Sequence, residues 1–140
     1  MSCVFGFDVG SKLIGVAVGN RITASARAIA TIPMRDDTPD WAALDTLRGE
    51  WLPESFVVGL PLTLDGAEQA SSQRARRFAE RLRERYRAPV NLVDERHSSR
   101  EAAQRFAEAR SAGLKRRSDA AQLDAEAAAV ILERWLHEAA

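Results

Sequence analysis

One cysteine, two histidines and no long apolar run set the first limits on this 140-residue chain. The lone Cys3 excludes an internal disulfide and a cysteine-built metal site. His97 and His137 are too few to make zinc chemistry an expectation, so any metal here has to be held by oxygen. The longest apolar stretches, residues 125–132 and 56–64, fall far short of the roughly 20 residues of a membrane span. The opening Met1-Ser2-Cys3-Val4 shows no basic stretch followed by an apolar run, so no secretory signal and a cytoplasmic location are expected. Lysine is scarce too, two against eighteen arginines. Arginine suits phosphate binding, although coding bias produces the same ratio.

What is present is ordinary globular usage. Hydrophobic residues at 46% and charged residues at 29% exclude a disordered tail protein. The length suits one domain over residues 1–140, able to bury about 70% of its unfolded surface. The net charge of zero hides an uneven distribution. Residues 74–117 hold fourteen basic and six acidic side chains, while both flanking segments are net acidic. The arginines are either solvated helix faces paired with glutamates or a basic rim beside an acidic site that takes a polyanion.

Short apolar runs at residues 4–8, 15–19 and 24–32, with Gly10-Ser11-Lys12 as a tight link, predict an antiparallel meander whose third strand ends at Pro33. Thr38-Pro39-Asp40 predicts a helix start with proline at the first position, followed by Trp41, Leu44, Leu47 and Trp51 at helical spacing. A strand at residues 56–60 closes at Pro61. Ala75, Phe78, Ala79, Leu82 and Tyr86 mark one helix face, and a strand at residues 90–93 follows. Ser98-Ser99-Arg100-Glu101 matches a capping box, residues 110–117 read as an exposed basic loop, and Ser118-Asp119 opens a last helix. This order predicts an α/β fold, a mixed sheet covered by helices on both faces.

Three acidic positions stand where a purely structural sequence avoids them. Asp8 ends an apolar strand, Asp94-Glu95 ends another, and Asp124 shares a stripe with Ala120, Ala127, Ala128 and Ile131. A buried carboxylate is costly unless it is hydrogen-bonded, paired or bound to metal. Each has a plain reading: a turn residue before Gly10, a strand end, a partner for an arginine. Their convergence would instead select Mg²⁺ or Mn²⁺, the usual device for phosphodiester cleavage. Gly59-Leu60-Pro61 reads as a strand terminator or as a place of close backbone approach, and Asp65-Gly66 as a turn.

Four segments in register span nearly the whole chain: Phe7-Asp8-Val9-Gly10 with Ile14-Gly15-Val16-Ala17; Val57-Val58-Gly59-Leu60-Pro61-Leu62 with Asp65-Gly66; Val93-Asp94-Glu95-Arg96-His97-Ser98; and the helix beginning Leu123-Asp124-Ala125-Glu126. In these the chain resembles the YqgF family, also called RuvX, ribonuclease-H-like proteins related to the RuvC Holliday-junction resolvases. The resemblance implies a five-stranded ribonuclease H-like sheet of order 3-2-1-4-5 with the second strand antiparallel. It implies a metal-dependent nuclease site in which Asp8, Glu95 and Asp124 are catalytic and hold Mg²⁺ or Mn²⁺, with Asp94 as a substitute for Glu95. Lys12, Arg96, Lys115, Arg116 and Arg117 are the expected phosphate contacts. The chain departs from the family at Leu13, where a basic residue is usual, and at His97, where an apolar one is.

The implied function is an Mg²⁺-dependent endonuclease acting on structured RNA or branched DNA, as a monomer or a homodimer. Its task is either maturation of the small-subunit ribosomal RNA precursor, on ribosomal precursor particles, or junction resolution. The alternative is a ribosome-associated or nucleic-acid-binding factor that does not cut. An actin-like phosphotransferase shares the sheet but needs a duplicated domain.

Overall fold

The computed structural model describes residues 3–63, 65–95 and 120–139, the last span with side chains for 125–138. The expected capping box at residues 98–101 and the basic loop lie outside the described residues. β1 (Cys3–Val9), β2 (Leu13–Asn20) and β3 (Ser25–Arg35) form the predicted antiparallel meander. β4 (Thr38–Pro39), α1 (Trp41–Trp51), β5 (Ser55–Leu60), α2 (Ala70–Tyr86), β6 (Val90–Asp94) and α3 (Ala120–Ala139) follow. The sheet order is β4-β3-β2-β1-β5-β6, with β5 parallel to β1 and β6 parallel to β5.

The expectation of five strands is corrected to six, because the segment assigned to a helix start pairs with β3 instead. Thr38 and Pro39 lie opposite Arg35 and Met34. The two turn residues between them, Asp36 and Asp37, have φ of 51° and 60°, the left-handed pair that a two-residue hairpin requires. The helix cap is therefore Asp40, whose Oδ1 accepts from Ala43 N at 3.1 Å. Pro33 does not end β3 either. Met34 N donates to Lys12 O on the β2 side, and Pro33 faces the other side, where its carbonyl accepts from Asp40 N at 3.0 Å and no donor from the proline is needed.

The two faces of the sheet are packed differently. On one, Phe5, Phe7, Phe56, Phe78 and Leu82 form an aromatic core beneath α1 and α2, with Trp41 stacked on Phe78 at 5.9 Å. On the other, α3 lies directly on the strands through Ala128, Ile131 and Leu132 against Val4, Ala17 and Val57. Gly6 permits that approach, since a Cβ there would come within 2.6 Å of Leu132 Cβ.

Candidate active site

The catalytic candidates follow from strand alternation. Val4, Gly6 and Asp8 of β1 point toward α3, whereas Phe5, Phe7 and Val9 point toward α1 and α2. In β5 the residues on the α3 side are Val57 and Gly59. Phe7 pairs with Val58 and Gly59 with Val93, so Asp8, Gly59 and Val93 form one row across the sheet. Glu95 follows Val93 by two residues on the same face, its amide donating to Leu60 O at 3.1 Å.

Glu95 reaches back over Gly59 to hydrogen-bond Asp8. A Cβ on Gly59 would collide with Glu95 Oε2 and come within 2.6 Å of Ile131 Cδ1. The glycine therefore forms the floor on which the Glu95 carboxyl rests, and not merely the end of a strand. Burial, the Asp8 charge and hydrogen bond, and the Asp94 charge together push the Glu95 carboxyl up to about 9. The two acidic groups thus face each other at close range, and each disfavours the charge on the other. Asp94 pairs with Leu60, whose side chain belongs to the opposite core, so the register separates Asp94 from its neighbour Glu95.

The third candidate is carried by α3. Ala128 O and Leu132 lie over Gly6, and Leu132 and Leu136 lie over Gly19, which pairs with Val4. The helix therefore runs antiparallel to β1. One turn back from Ala128 along the helix is position 124, and two residues on from Gly6 along the strand is Asp8. Both steps cover about 6 Å, so the backbone at Asp124 draws level with Asp8. The Asp124 side chain lies outside the described residues, and among the described residues no three acidic, histidine or cysteine side chains group as a metal site.

Among the expected phosphate contacts, Lys12 sits exposed in the β1–β2 link at the same strand ends as Asp8, and Leu13 pairs with Pro33. Arg96, His97, Lys115, Arg116 and Arg117 lie outside the described residues. Gly59, which the sequence left open as a strand terminator or a place of close approach, is a place of close approach, and the approaching group is the Glu95 carboxyl. No helix among the described residues is long and apolar enough to cross a membrane.

Comparisons with known proteins agree on this frame. The family model described as "RuvX: Holliday junction resolvase" matches residues 2–138. A protein of Xanthomonas axonopodis pv. citri (strain 306) named "Putative pre-16S rRNA nuclease" is 59% identical over 133 residues, covering 95% of this chain and 86% of its own length. Another of the same name from Xanthomonas oryzae pv. oryzae (strain PXO99A) is 60% identical over the same shares. Among solved structures, Thermus thermophilus RuvC in complex with a Holliday junction substrate aligns with TM-score 0.61 at 16% identity, over 98% of this chain and 95% of that one. The fowlpox virus Holliday junction resolvase aligns with TM-score 0.54 at 17% identity, over 98% of each chain. These likenesses are of fold, and they match the RuvC-like mixed sheet described above.

Proposed function

This chain belongs to the RuvX family, and from that premise we propose that it is a divalent-metal-dependent endonuclease with Asp8, Glu95 and Asp124 as its acidic set. One observation carries the reading: the carboxyls of Asp8 and Glu95 meet over a glycine floor at neighbouring strand ends. Two facing carboxyls serve the stability of a fold less well than an apolar pair would. Its donor chemistry fits a hard cation such as Mg²⁺ or Mn²⁺, and the absence of a side chain at Gly59 is what gives the Glu95 carboxyl its place beside Asp8. Bound there, such ions supply an activated water and neutralise charge on the leaving oxygen of a phosphodiester.

The residues of the chain do the rest. Asp8 and Glu95, which meet on the face turned to α3, would hold the cation through their carboxylate oxygens. Asp124, the third acid expected from sequence, belongs to the helix whose backbone draws level with Asp8. Asp94, on the opposite side of β6, adds negative potential and no ligand. Lys12 contacts substrate phosphate from the β1–β2 link, and Arg96, Lys115, Arg116 and Arg117 are the further phosphate contacts expected from sequence. They position the strand and read no base.

The relatives at 59–60% identity carry the 16S precursor name, whereas the likeness to junction resolvases at 16–17% identity is one of fold. Precursor 16S ribosomal RNA is therefore the first substrate, and a four-way DNA junction the second. The test is cleavage of both by the wild type and by Asp8→Asn, with Mg²⁺ or Mn²⁺ and with chelator. Metal-dependent cutting by the wild type alone supports the reading. Tight binding with no cutting of either substrate under any metal would put the non-cutting factor in its place.

A further inference from the structure

Helix α2 carries six arginines among residues 74–85, and they are partnered in two different ways. Arg76, Arg83 and Arg85 each have a carboxylate of their own: Glu68 at 2.7 Å, Glu80 at 2.6 Å and Asp45 at 2.6 Å. Arg74, Arg77 and Arg81 converge on the single residue Asp37. Arg74 Nε donates to Oδ1 at 3.2 Å, Arg77 Nη2 to Oδ2 at 3.1 Å, and Arg81 Nη1 to the backbone oxygen at 2.8 Å. Two of the three guanidiniums share the one carboxylate and the third meets only a backbone oxygen, so three cations gather on a residue of single negative charge. Each guanidinium has five N–H donors, so most of this fork of donors remains free of Asp37.

The cluster also has a definite place. Asp37 sits in the turn beyond β3, whose Pro33 pairs with Leu13 beside the Lys12 link. The start of α2 is tied to the end of β5, since the Ser72 hydroxyl donates to Pro61 O. Both attachments lie at the strand ends that hold Asp8 and Glu95. The arginines thus belong to the α2 face of the sheet, opposite the face that Asp8 and Glu95 share with α3, and are tied to the same strand ends as exposed Lys12.

We propose that Arg74, Arg77 and Arg81, held in place by Asp37, form a phosphate clamp that grips the nucleic-acid backbone on the α2 face, tied to the same strand ends as the acidic set. The ligand is a phosphodiester strand, RNA or DNA, recognised by charge and guanidinium geometry and not by sequence. This rests on the nuclease reading for its purpose, but binding can be measured without cleavage. Asp37 acts as a placeholder: it orders the three side chains and competes with phosphate for the donors of two of them.

The experiment is fluorescence anisotropy of labelled 20-nucleotide single-stranded RNA and DNA of one sequence, in chelator, across a salt series. Replacing all three arginines by glutamine should lower the slope of log affinity against log salt by about 2, from the loss of three phosphate contacts on a single strand. The Arg76→Gln and Arg83→Gln double variant, which removes arginines that already have their own carboxylates, should change it by less than half as much. Asp37→Asn keeps a residue that tolerates the left-handed turn and removes the competing charge, so binding should tighten and the slope steepen by about 0.7. A purely structural clamp predicts the opposite for Asp37→Asn: lower stability and no gain in binding. That outcome, or equal slope changes in the triple and control variants, would overturn the proposal. Should the triple variant fail to fold, Asp37→Asn and single Arg81→Gln decide it. Absence of cleavage by the wild type would bear on the nuclease reading alone.

Discussion

Asp45 and Glu95 lie on opposite sides of the same sheet, each hydrogen-bonded to another side chain, and their surroundings drive them in opposite directions. On the α1–α2 side Asp45 accepts from Arg85 at 2.9 and 2.6 Å and from the Tyr86 hydroxyl at 2.6 Å. The hydrogen bonds from Arg85 and Tyr86 and the Arg85 charge hold its carboxyl down at about 2. On the α3 side Glu95 meets burial and two further acids, and its carboxyl is pushed up to about 9. The first face matches charge with charge above a thick aromatic core. The second packs alanine and glycine closely and gathers like charges at its end. The contrast separates a face whose charges support stability from one whose charges oppose it, the usual mark of a candidate site.

The most drastic way to test that contrast is Asp8→Asn. Cleavage should fall by orders of magnitude, because a ligand of the proposed metal set is lost. The metal-free variant should be at least as stable as the wild type in urea, because the change removes a charge facing Glu95. A variant that is clearly destabilised and still cuts at the wild-type rate would return Asp8 to a structural role. The matching test on the other face is Phe78→Ala. Phe78 is almost fully buried between Phe7 at 5.1 Å and Trp41 at 5.9 Å, so its loss should cost about 3–5 kcal/mol in the same assay.

Gly59→Ala sharpens the comparison, because it alters the site through packing alone. The atoms a Cβ would meet are the ends of Glu95 and Ile131, which can give way. The fold should survive, while displacement of the Glu95 carboxyl should lower cleavage by about 10²-fold and weaken Mn²⁺ binding in calorimetry. Wild-type Mn²⁺ affinity in this variant would detach Gly59 from the site.

The pH dependence follows from the same opposition. Glu95 binds its proton more tightly folded than unfolded, so its contribution to stability is complete below the ordinary carboxyl value near 4.5. It is lost as pH rises through about 9. In chelator the thermal midpoint should therefore decline across that window, and Asp8→Asn should flatten the decline. Mg²⁺ should offset it, because it replaces the proton. Asp45 has the reverse sign: its contribution is present above about 3.8 and fades as pH falls through about 2. Asp45→Asn should give the smallest effect, a slight drop in thermal midpoint that shrinks toward pH 2, with cleavage unchanged.

Much of this was legible in the chain itself. Alternation and spacing placed β1, β2, β5, α1 and α2 close to their observed bounds. Acidic residues at the ends of apolar strands singled out Asp8 and Asp94-Glu95. The hairpin at Asp36–Asp37 was misread because Thr38-Pro39 suits a helix start locally, and only the nearness of β3 makes it a strand. The arginine cluster was invisible for a related reason: helical spacing shows that Arg74, Arg77 and Arg81 share a face, but not that Asp37 meets it.

Local chemistry, then, was determined by the sequence, because apolar periodicity, caps and the cost of a buried carboxylate act within a few residues. Which of Asp94 and Glu95 faces α3 was decided by tertiary structure, since neighbouring residues face opposite ways and only pairing in the sheet says which face holds the helix. The role of Gly59 was decided there too, because the absence of a side chain has meaning only once another residue occupies the space. The same holds for the level approach of position 124 to Asp8, which depends on how a helix rising about 1.5 Å per residue lies against a strand rising about 3.3 Å per residue. Such coincidences are set by packing over distances that no stretch of sequence encodes alone.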